Sequence, residues 1–442
     1  MKEILHFLIQ VNKLKEVQRS GWILRGVKNP ETIADHMFRL AFFCWLLSHK
    51  KGNLEIGKVI KTALSHDLCE VYAGDIVPYF GILPKNEEKR KEVLKRWVRL
   101  PRHIKSKRDA KKFKLEKKGL LKLIKILEPK QRQEILTLWL NQDRSRGQLG
   151  KFVKQADKIE TMIQAIEYFG AGQDTPVTGW WEESEELVDD QLLLILLKVI
   201  QRKFYGDAEK LKKIEKINQE LEDILDFTLL IGRLKSMPRL YWTLREIDNP
   251  ETVAGHIFTL SIMAWVFGKK KKELSQEKLL KMALCHELAS AEIGDSTPYD
   301  RILSGDPSEG KKVLEKMIHL SRKEKKRIFI EDYKKEKKAL ETITAKLSPH
   351  LKREIIYLWE DYRAKKSPEA RFLNQLNTLS ILFQGLLYEK KYKHFSAKPL
   401  WEWAFEACDD PLLIRFMEEM KKKFHIRYFL RDLILQKLRV KK

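Results

Sequence analysis

The chain has 442 residues, 43% of them hydrophobic, and a formal net charge of +25. That length favours two to three domains with ample material for a buried core, and the hydrophobic content is that of an ordinary globular protein. No apolar run approaches the roughly 20 residues needed to cross a bilayer, so neither a spanning helix nor a membrane partner is expected.

In chain order, Ile4, Leu5, Leu8 and Val11 fall at helical spacing with no small-residue cleavage site after them. This predicts an amphipathic helix and not a signal peptide. Asn29-Pro30-Glu31-Thr32 predicts a helix start, in which Asn29 caps, Pro30 fits the first turn and Glu31 complements the dipole. That helix is expected to reach about Leu47. A second is expected from about Ile56 to Tyr72, stopped near Gly74, and a third from about Lys151, carrying Asp157. Few stretches alternate as strands do, so the expected fold class is all-α.

The chain is written twice at a constant offset of 220 residues. W-I-L-R-G-V-K-N-P-E-T-I-A-D-H-M-F-R-L (22–40) returns as W-T-L-R-E-I-D-N-P-E-T-V-A-G-H-I-F-T-L (242–260). E-I-L-T-L-W (134–139) returns as E-I-I-Y-L-W (354–359), and F-V-K-Q-A-D (152–157) as F-L-N-Q-L-N (372–377). A duplicated domain is expected, with copies at 1–220 and 221–442 and a charged join at 206–223.

Cys44, Cys69, Cys285 and Cys408 form no C-x-x-C pair, and each lies in an apolar helical context. Free buried thiols and a reducing, cytoplasmic setting are expected. The positive charge concentrates at Lys269–Lys272 and in stretches 102–118, 322–338 and 421–442. Such a charge admits a nucleic-acid partner. Solvated helix faces are the favoured reading, because no zinc finger, RNA-recognition aromatic signature or glycine-rich phosphate loop accompanies it.

The stretch S-H-D-L-C-E-V-Y-A-G-D (65–75) carries His66, Asp67, Glu70 and Asp75 within an otherwise apolar segment. On one helix, spacings of three and four put His66, Asp67 and Glu70 on roughly one face. Charged groups on a half-buried helix need a partner, and a divalent cation is an efficient one. Imidazole with carboxylate suits Mn, Fe, Co, Ni, Zn or Mg. His36 and Asp157, each on its own helix, are candidates to complete the set.

His36, the His66-Asp67 doublet and the distant Asp157 resemble the H…HD…D signature of HD-domain metal-dependent phosphohydrolases. The resemblance is closer to the branch that hydrolyses deoxynucleoside 5'-monophosphates. It rests on G-W-I-L-R (21–25), N-P-E-T-I-A-D-H (29–36), H-D-L-C-E-V-Y-A-G-D-I (66–76) and K-F-V-K-Q-A-D-K-I-E (151–160), which together span most of the first copy. It implies an all-helical fold and one divalent ion held by His36, His66, Asp67 and Asp157. It implies Glu70 as the proton-handling carboxylate and Asp75 as a second acidic site residue. Arg25 and Arg19 would bind phosphate, Trp22 would lie against the sugar, and Asp35 would support the ligand histidine beside it. A nucleotide is the implied substrate.

The second copy keeps His256, His286, Asp295 and Arg245, but Asp67 becomes Glu287, Asp157 becomes Asn377 and Glu70 becomes Ser290. An inactive second copy is therefore expected. Enzymes of this branch are typically homodimers, so the copy is expected to serve as an internal dimer partner in a monomeric chain. Two alternatives remain open: an HD nuclease or nucleotide phosphohydrolase on other substrates, and a regulatory protein that binds nucleotides or nucleic acid.

Overall fold

The computed structural model describes residues 1–77, 79, 81–173, 175–205, 216–297 and 321–426. Helices dominate, as the periodicity predicts. Among the described residues there is no strand, only isolated antiparallel bridges between Gln18 and Thr32 and between Pro238 and Thr252. Part of the expected join (206–215) and most of the basic stretch 421–442 lie outside the described residues.

The first repeat comprises α1 (Lys2–Val11), α2 (Ser20–Ile23), α3 (Ile33–Lys51), α4 (Ile56–Ser65), α5 (Glu70–Ala73), α6 (Glu87–Leu94), α7 (Arg102–Ile124), α8 (Pro129–Asp143), α9 (Gly147–Gly170), α10 (Thr178–Leu187) and α11 (Gln191–Tyr205). Then come α12 (Lys216–Gly232), α13 (Leu240–Leu244), α14 (Val253–Gly268), α15 (Gln276–Cys285), α16 (Ser290–Ile293), α17 (Arg322–Ile343), α18 (Pro349–Ala364), α19 (Pro368–Lys391), α20 (Lys398–Ala407) and α21 (Pro411–Lys423). Helices α3, α4, α5, α7 and α8 begin 220 residues before α14, α15, α16, α17 and α18.

The chain divides into two compact units: residues 9–236 with 344–352, and residues 1–8 with 237–343 and 353–442. The unit boundary does not coincide with the repeat boundary near residue 220. Residues 216–236, at the repeat junction, pack within the unit built from the first repeat, where α12 lies against α3 and α11.

Four helix boundaries differ from expectation. Thr32, not Asn29, caps α3: its hydroxyl accepts from Asp35 N while the Asp35 carboxylate accepts from Thr32 N, a reciprocal capping box. Asn29 instead takes a left-handed φ of 50°, which asparagine tolerates. Helix α3 then runs past Leu47 to Lys51 and ends on Gly52 in the left-handed region. Helix α9 begins at Gly147, one turn before Lys151. The predicted single helix from Ile56 to Tyr72 is broken: residues 66–69 form a turn between α4 and α5. There Leu68 N, Glu70 N and Tyr72 N each bond to a carbonyl only three residues back.

Helix α3 is buried from Ile33 to Ser48 on every face, so it is the central helix of its unit. Helices α4 and α9 pack on it, and α8 packs on both α4 and α9. Trp22, Trp45 and Trp139 are among the largest fully buried side chains. In the second unit α14 occupies the corresponding place, against α15 and α19. All four cysteines are free and buried, as expected. No helix among the described residues is long and apolar enough to cross a membrane.

Candidate metal centre

Three elements deliver the cluster. His36 sits on the first turn of α3, His66 and Asp67 in the turn that ends α4, and Asp157 in the middle of α9. The break at residue 66 has a consequence here. The His66 Nδ1 position is 2.8 Å from Ala63 O, a contact that fixes the ring and turns Nε2 inward. His66 Nε2 then lies 3.3 Å from His36 Nε2 and 3.0 Å from Asp67 Oδ2. Asp157 Oδ1 lies 3.1 Å from His36 Nε2 and 4.0 Å from His66 Nε2. Two imidazoles and two carboxylates thus point at one small volume.

Those donors suit a divalent cation. Asp157 Oδ1 is buried yet, among the described residues, makes no hydrogen bond, its neighbour His36 Nε2 notwithstanding. With His36 Nε2 turned to a cation and carrying no proton, that buried oxygen has no donor, a costly state that the cation itself would relieve. The residues present therefore fit a metal ion.

The electrostatics agree. Burial and Arg19 oppose charge on His36, but Glu160 and Asp157 outweigh them and lift its pKa to about 9. Burial raises the Asp67 carboxyl, yet His66 and His36 bring it down to about 2. The same balance, burial against His36 and His66, holds Asp157 far below the usual carboxylate range. Glu70 moves the other way, raised well above that range by burial, Asp67 and Asp75.

Beneath His36 lies a buried ionic layer. Glu160, 0% exposed, lies 2.5 Å from His36 Nδ1 and accepts from Arg39 Nε at 2.6 Å and Lys235 Nζ at 3.0 Å. Arg39 also pairs with Glu167, and Lys235 with Glu31.

Above the cluster is a cavity of about 690 Å³. Its walls carry Arg19, His66, Asp67, Asp75 and Asp157, the lysines Lys112, Lys154 and Lys158, further acids including Glu116 and Glu183, which pair with Lys112 and Lys158, and aromatic faces from Trp97 and Trp180.

The other expected site residues are placed as follows. Arg19 Nη1 lies 2.8 Å from His36 Nδ1 and 3.3 Å from Thr161 Oγ1, on the cavity wall. Trp22 touches the cavity but is 1% exposed, and its indole N–H donates to Glu31 Oε1 at 3.0 Å. Trp242 makes the same bond to Glu251, so this contact belongs to the fold of both copies. Arg25 does not line the cavity. It donates to Gly21 O and Tyr79 OH and stacks over Trp180 at 4.3 Å. Asp75 accepts from Ser20 N at 2.5 Å, tying the turn that carries Arg19. Glu70 is buried beside Asp67 and Asp75 without reaching the cavity wall, and its Oε2 makes no hydrogen bond among the described residues. Asp35 caps α3 and so supports the turn that bears His36.

Sequence reading missed Lys112, Lys154, Lys158, Trp180, Arg39, Glu160 and Lys235. A signal was present in the repeat. Lys112, Lys154, Lys158, Trp180, Arg39 and Glu160 stand where the second copy has Asp332, Asn374, Thr378, Leu400, Thr259 and Ser380.

In the second unit His256 and His286 keep the 3.3 Å contact between Nε2 atoms. Glu287 Oε1 stays 3.8 Å from His286 Nε2, but it also meets a cationic side chain. Arg239, the counterpart of Arg19, lies 2.9 Å from Glu287 Oε1 and 3.3 Å from Asp295 Oδ1. Asn377 donates to Tyr362 OH at 2.8 Å, and the Tyr362 ring packs against His286.

The all-helical fold and a histidine–aspartate cluster drawn from three helical elements define the class: this is an HD-type phosphohydrolase. The chain belongs to the HD domain family, whose model matches residues 11–177 and again 231–400. It is similar to proteins named 5'-deoxynucleotidase HDDC2. The one from Xenopus laevis is 31% identical over 172 residues, covering 39% of this chain and 72% of that protein. The one from Danio rerio is 32% identical over 170 residues, covering 38% and 72%. The one from Homo sapiens is 27% identical over 199 residues, covering 45% and 84%.

Proposed function

We propose that this protein is a metal-dependent phosphomonoesterase that hydrolyses deoxynucleoside 5'-monophosphates to nucleoside and phosphate. One observation carries the reading: in the first copy a two-imidazole, two-carboxylate cluster opens into a cavity lined by Lys112, Lys154 and Lys158. The names of the similar proteins support the substrate class.

His36, His66, Asp67 and Asp157 would hold one divalent ion. When bound, it supplies Lewis acidity toward a phosphoryl oxygen and lowers the pKa of a water. The chain's own residues do the rest. Arg19 and the three lysines offset the phosphate's charge, with Arg19 presenting forked donors. Trp180, held by the stacked Arg25, gives the sugar and base an apolar wall. Glu70, its pKa raised by burial, Asp67 and Asp75, lies behind the cavity wall, and its proposed part is to handle a proton by way of a group that reaches the cavity. Asp75 anchors the turn that carries Arg19.

The second copy is proposed to be inactive. Arg239 pairs with Glu287, the counterpart of Asp67, and Asn377 stands in place of Asp157, so the second cluster has one ligand carboxylate and a guanidinium beside it. Its role is proposed as internal partner to the first copy, the chain being monomeric. That role draws support from residues 221–236, which pack within the site-bearing unit.

The test is phosphate release by the purified chain with Mn²⁺, Co²⁺ or Mg²⁺ from deoxynucleoside monophosphates, ribonucleoside monophosphates, deoxynucleoside triphosphates and single-stranded DNA. No release from any deoxynucleoside monophosphate with any of these ions overturns the reading. Asp67→Ala abolishes turnover and Glu287→Ala leaves it near wild type. Sedimentation of an obligate dimer counts against the internal-partner role.

A further inference from the structure

The buried ionic layer beneath His36 includes a side chain from the second repeat. Lys235 follows α12 in the short turn Arg233–Lys235 and is 6% exposed. Its ammonium reaches Glu160 Oε1 at 3.0 Å and Gln164 Oε1 at 2.5 Å and pairs with Glu31. Glu31 and Glu160 thus share one cation, and Glu160 is, with Arg19, in contact with His36 Nδ1.

The approach of this segment is built for that contact. A Cβ on Gly232 would lie 2.7 Å from Glu167 Oε1 and 2.8 Å from Arg39 Nη1. Glycine lets the end of α12 close on the Arg39–Glu167 pair without displacing the ends of those two side chains. The first-repeat counterpart of Gly232 is Asn12, so this fit is not a general feature of the repeat.

The second copy supplies a control within the same chain. Arg39, Glu160 and Glu167 correspond to Thr259, Ser380 and Leu387. The second copy still forms α14 and α19, and it keeps the bonds of Trp242 and Tyr388 to Glu251. At the 220-residue offset Lys235, Glu31 and Gln164 correspond to Lys15, Glu251 and Gln384, so what sets the first copy's layer apart is Arg39, Glu160 and Glu167. Burying Glu31 and Glu160 with Arg39 and Lys235 for stability alone is a poor use of charge, because desolvation cancels much of the attraction.

We propose that Lys235 is a positioning residue for the metal centre of the first copy. It fixes Glu160 and Glu31, Glu160 orients the His36 ring with Nε2 toward the other ligands, and a residue of the second repeat thereby completes the first repeat's site. The proposal rests on the reading of His36, His66, Asp67 and Asp157 as ligands. Groups that orient a ligand histidine are worth about 10–100-fold in metal affinity.

The test uses the full chain and Mn²⁺ alone, with affinity measured by competition against a chromophoric chelator. Folding is checked by circular dichroism in EDTA. Lys235→Met is expected to weaken Mn²⁺ binding about 10–100-fold without changing stoichiometry. Lys58→Met removes an exposed lysine paired only locally, with Glu55, and is expected to leave the affinity unchanged. Should Lys235→Met fail to fold, the double variant Glu31→Gln/Lys235→Met restores charge balance and is expected to show the same weakening. A folded Lys235 variant with wild-type Mn²⁺ affinity overturns the positioning role while leaving the ligand reading intact. A wild-type chain that binds no Mn²⁺ overturns both.

Discussion

Asp157→Asn gives the first copy the residue that the second copy already has at Asn377. The amide keeps the shape of the carboxylate and removes its charge. Asp157 Oδ1 lies 3.1 Å from His36 Nε2. Unit charges at that distance interact by about 5 kcal/mol at an effective dielectric of 20. Part of that is offset by desolvation, and removing one member of a buried charge set typically costs about 3–5 kcal/mol. Expressed as affinity, this is roughly a 10²–10⁴-fold weakening of divalent-cation binding. Isothermal titration with Mn²⁺ checks it, with phosphate release measured on the same samples. The wild-type chain is expected to take up one ion, at the first copy alone. An Asp157→Asn chain that binds Mn²⁺ as tightly as wild type would refute the assignment of Asp157 as a ligand. Uptake of two ions by the wild-type chain would refute the reading of Arg239 as the cation that occupies the second site's ligand carboxylate.

Glu70→Gln is expected to lower kcat about 10²–10⁴-fold while leaving Mn²⁺ affinity near wild type, as steady-state kinetics and chelator competition would show. Lys112→Met is expected to reduce kcat/KM about 10–100-fold, mainly through KM, if this lysine meets the phosphate with a charged hydrogen bond. In chelator-treated protein, His36 has a folded pKa of about 9 against an ordinary 6.5. Its stabilisation is therefore complete below pH 6.5 and lost as pH rises toward 9. The loss is about 3 kcal/mol, readable from urea midpoints across that range and absent in His36→Gln. The same proton must leave when a cation binds, so Mn²⁺ affinity is expected to rise by up to about tenfold per pH unit over that window.

The legible part of the site was its proposed ligand set. His36, His66, Asp67 and Asp157 are charged or titratable groups in apolar helical surroundings, an arrangement that requires a partner, and the structure brings all four together. Glu70 and Asp75 were legible as acids, but their surroundings were not. One is enclosed behind the cavity wall, and the other is committed to Ser20 N. Arg25 and Trp22 recur in both copies, which suggested site residues, yet Trp22 and Trp242 make the same bond to a buried glutamate. Recurrence between the copies does not by itself mark a site residue. The positions that differ, such as Lys112 against Asp332 and Glu160 against Ser380, mark what surrounds the site.

Sequence alone determined that the chain is helical, that it is duplicated at a fixed offset, and which residue types could hold a cation. These follow from local rules: periodicity of apolar residues, self-similarity, and the cost of an unpaired charge in an apolar helix. The tertiary structure decided where α4 breaks, because the turn at 66–69 and the His66 contact with Ala63 O depend on how α4 and α5 are packed. It also decided that residues 221–236 pack with the first repeat rather than the second. Lys235 stands about 200 residues from His36 in the chain and one carboxylate away from it in space. No local pattern encodes that distance; it exists only once the helices have packed.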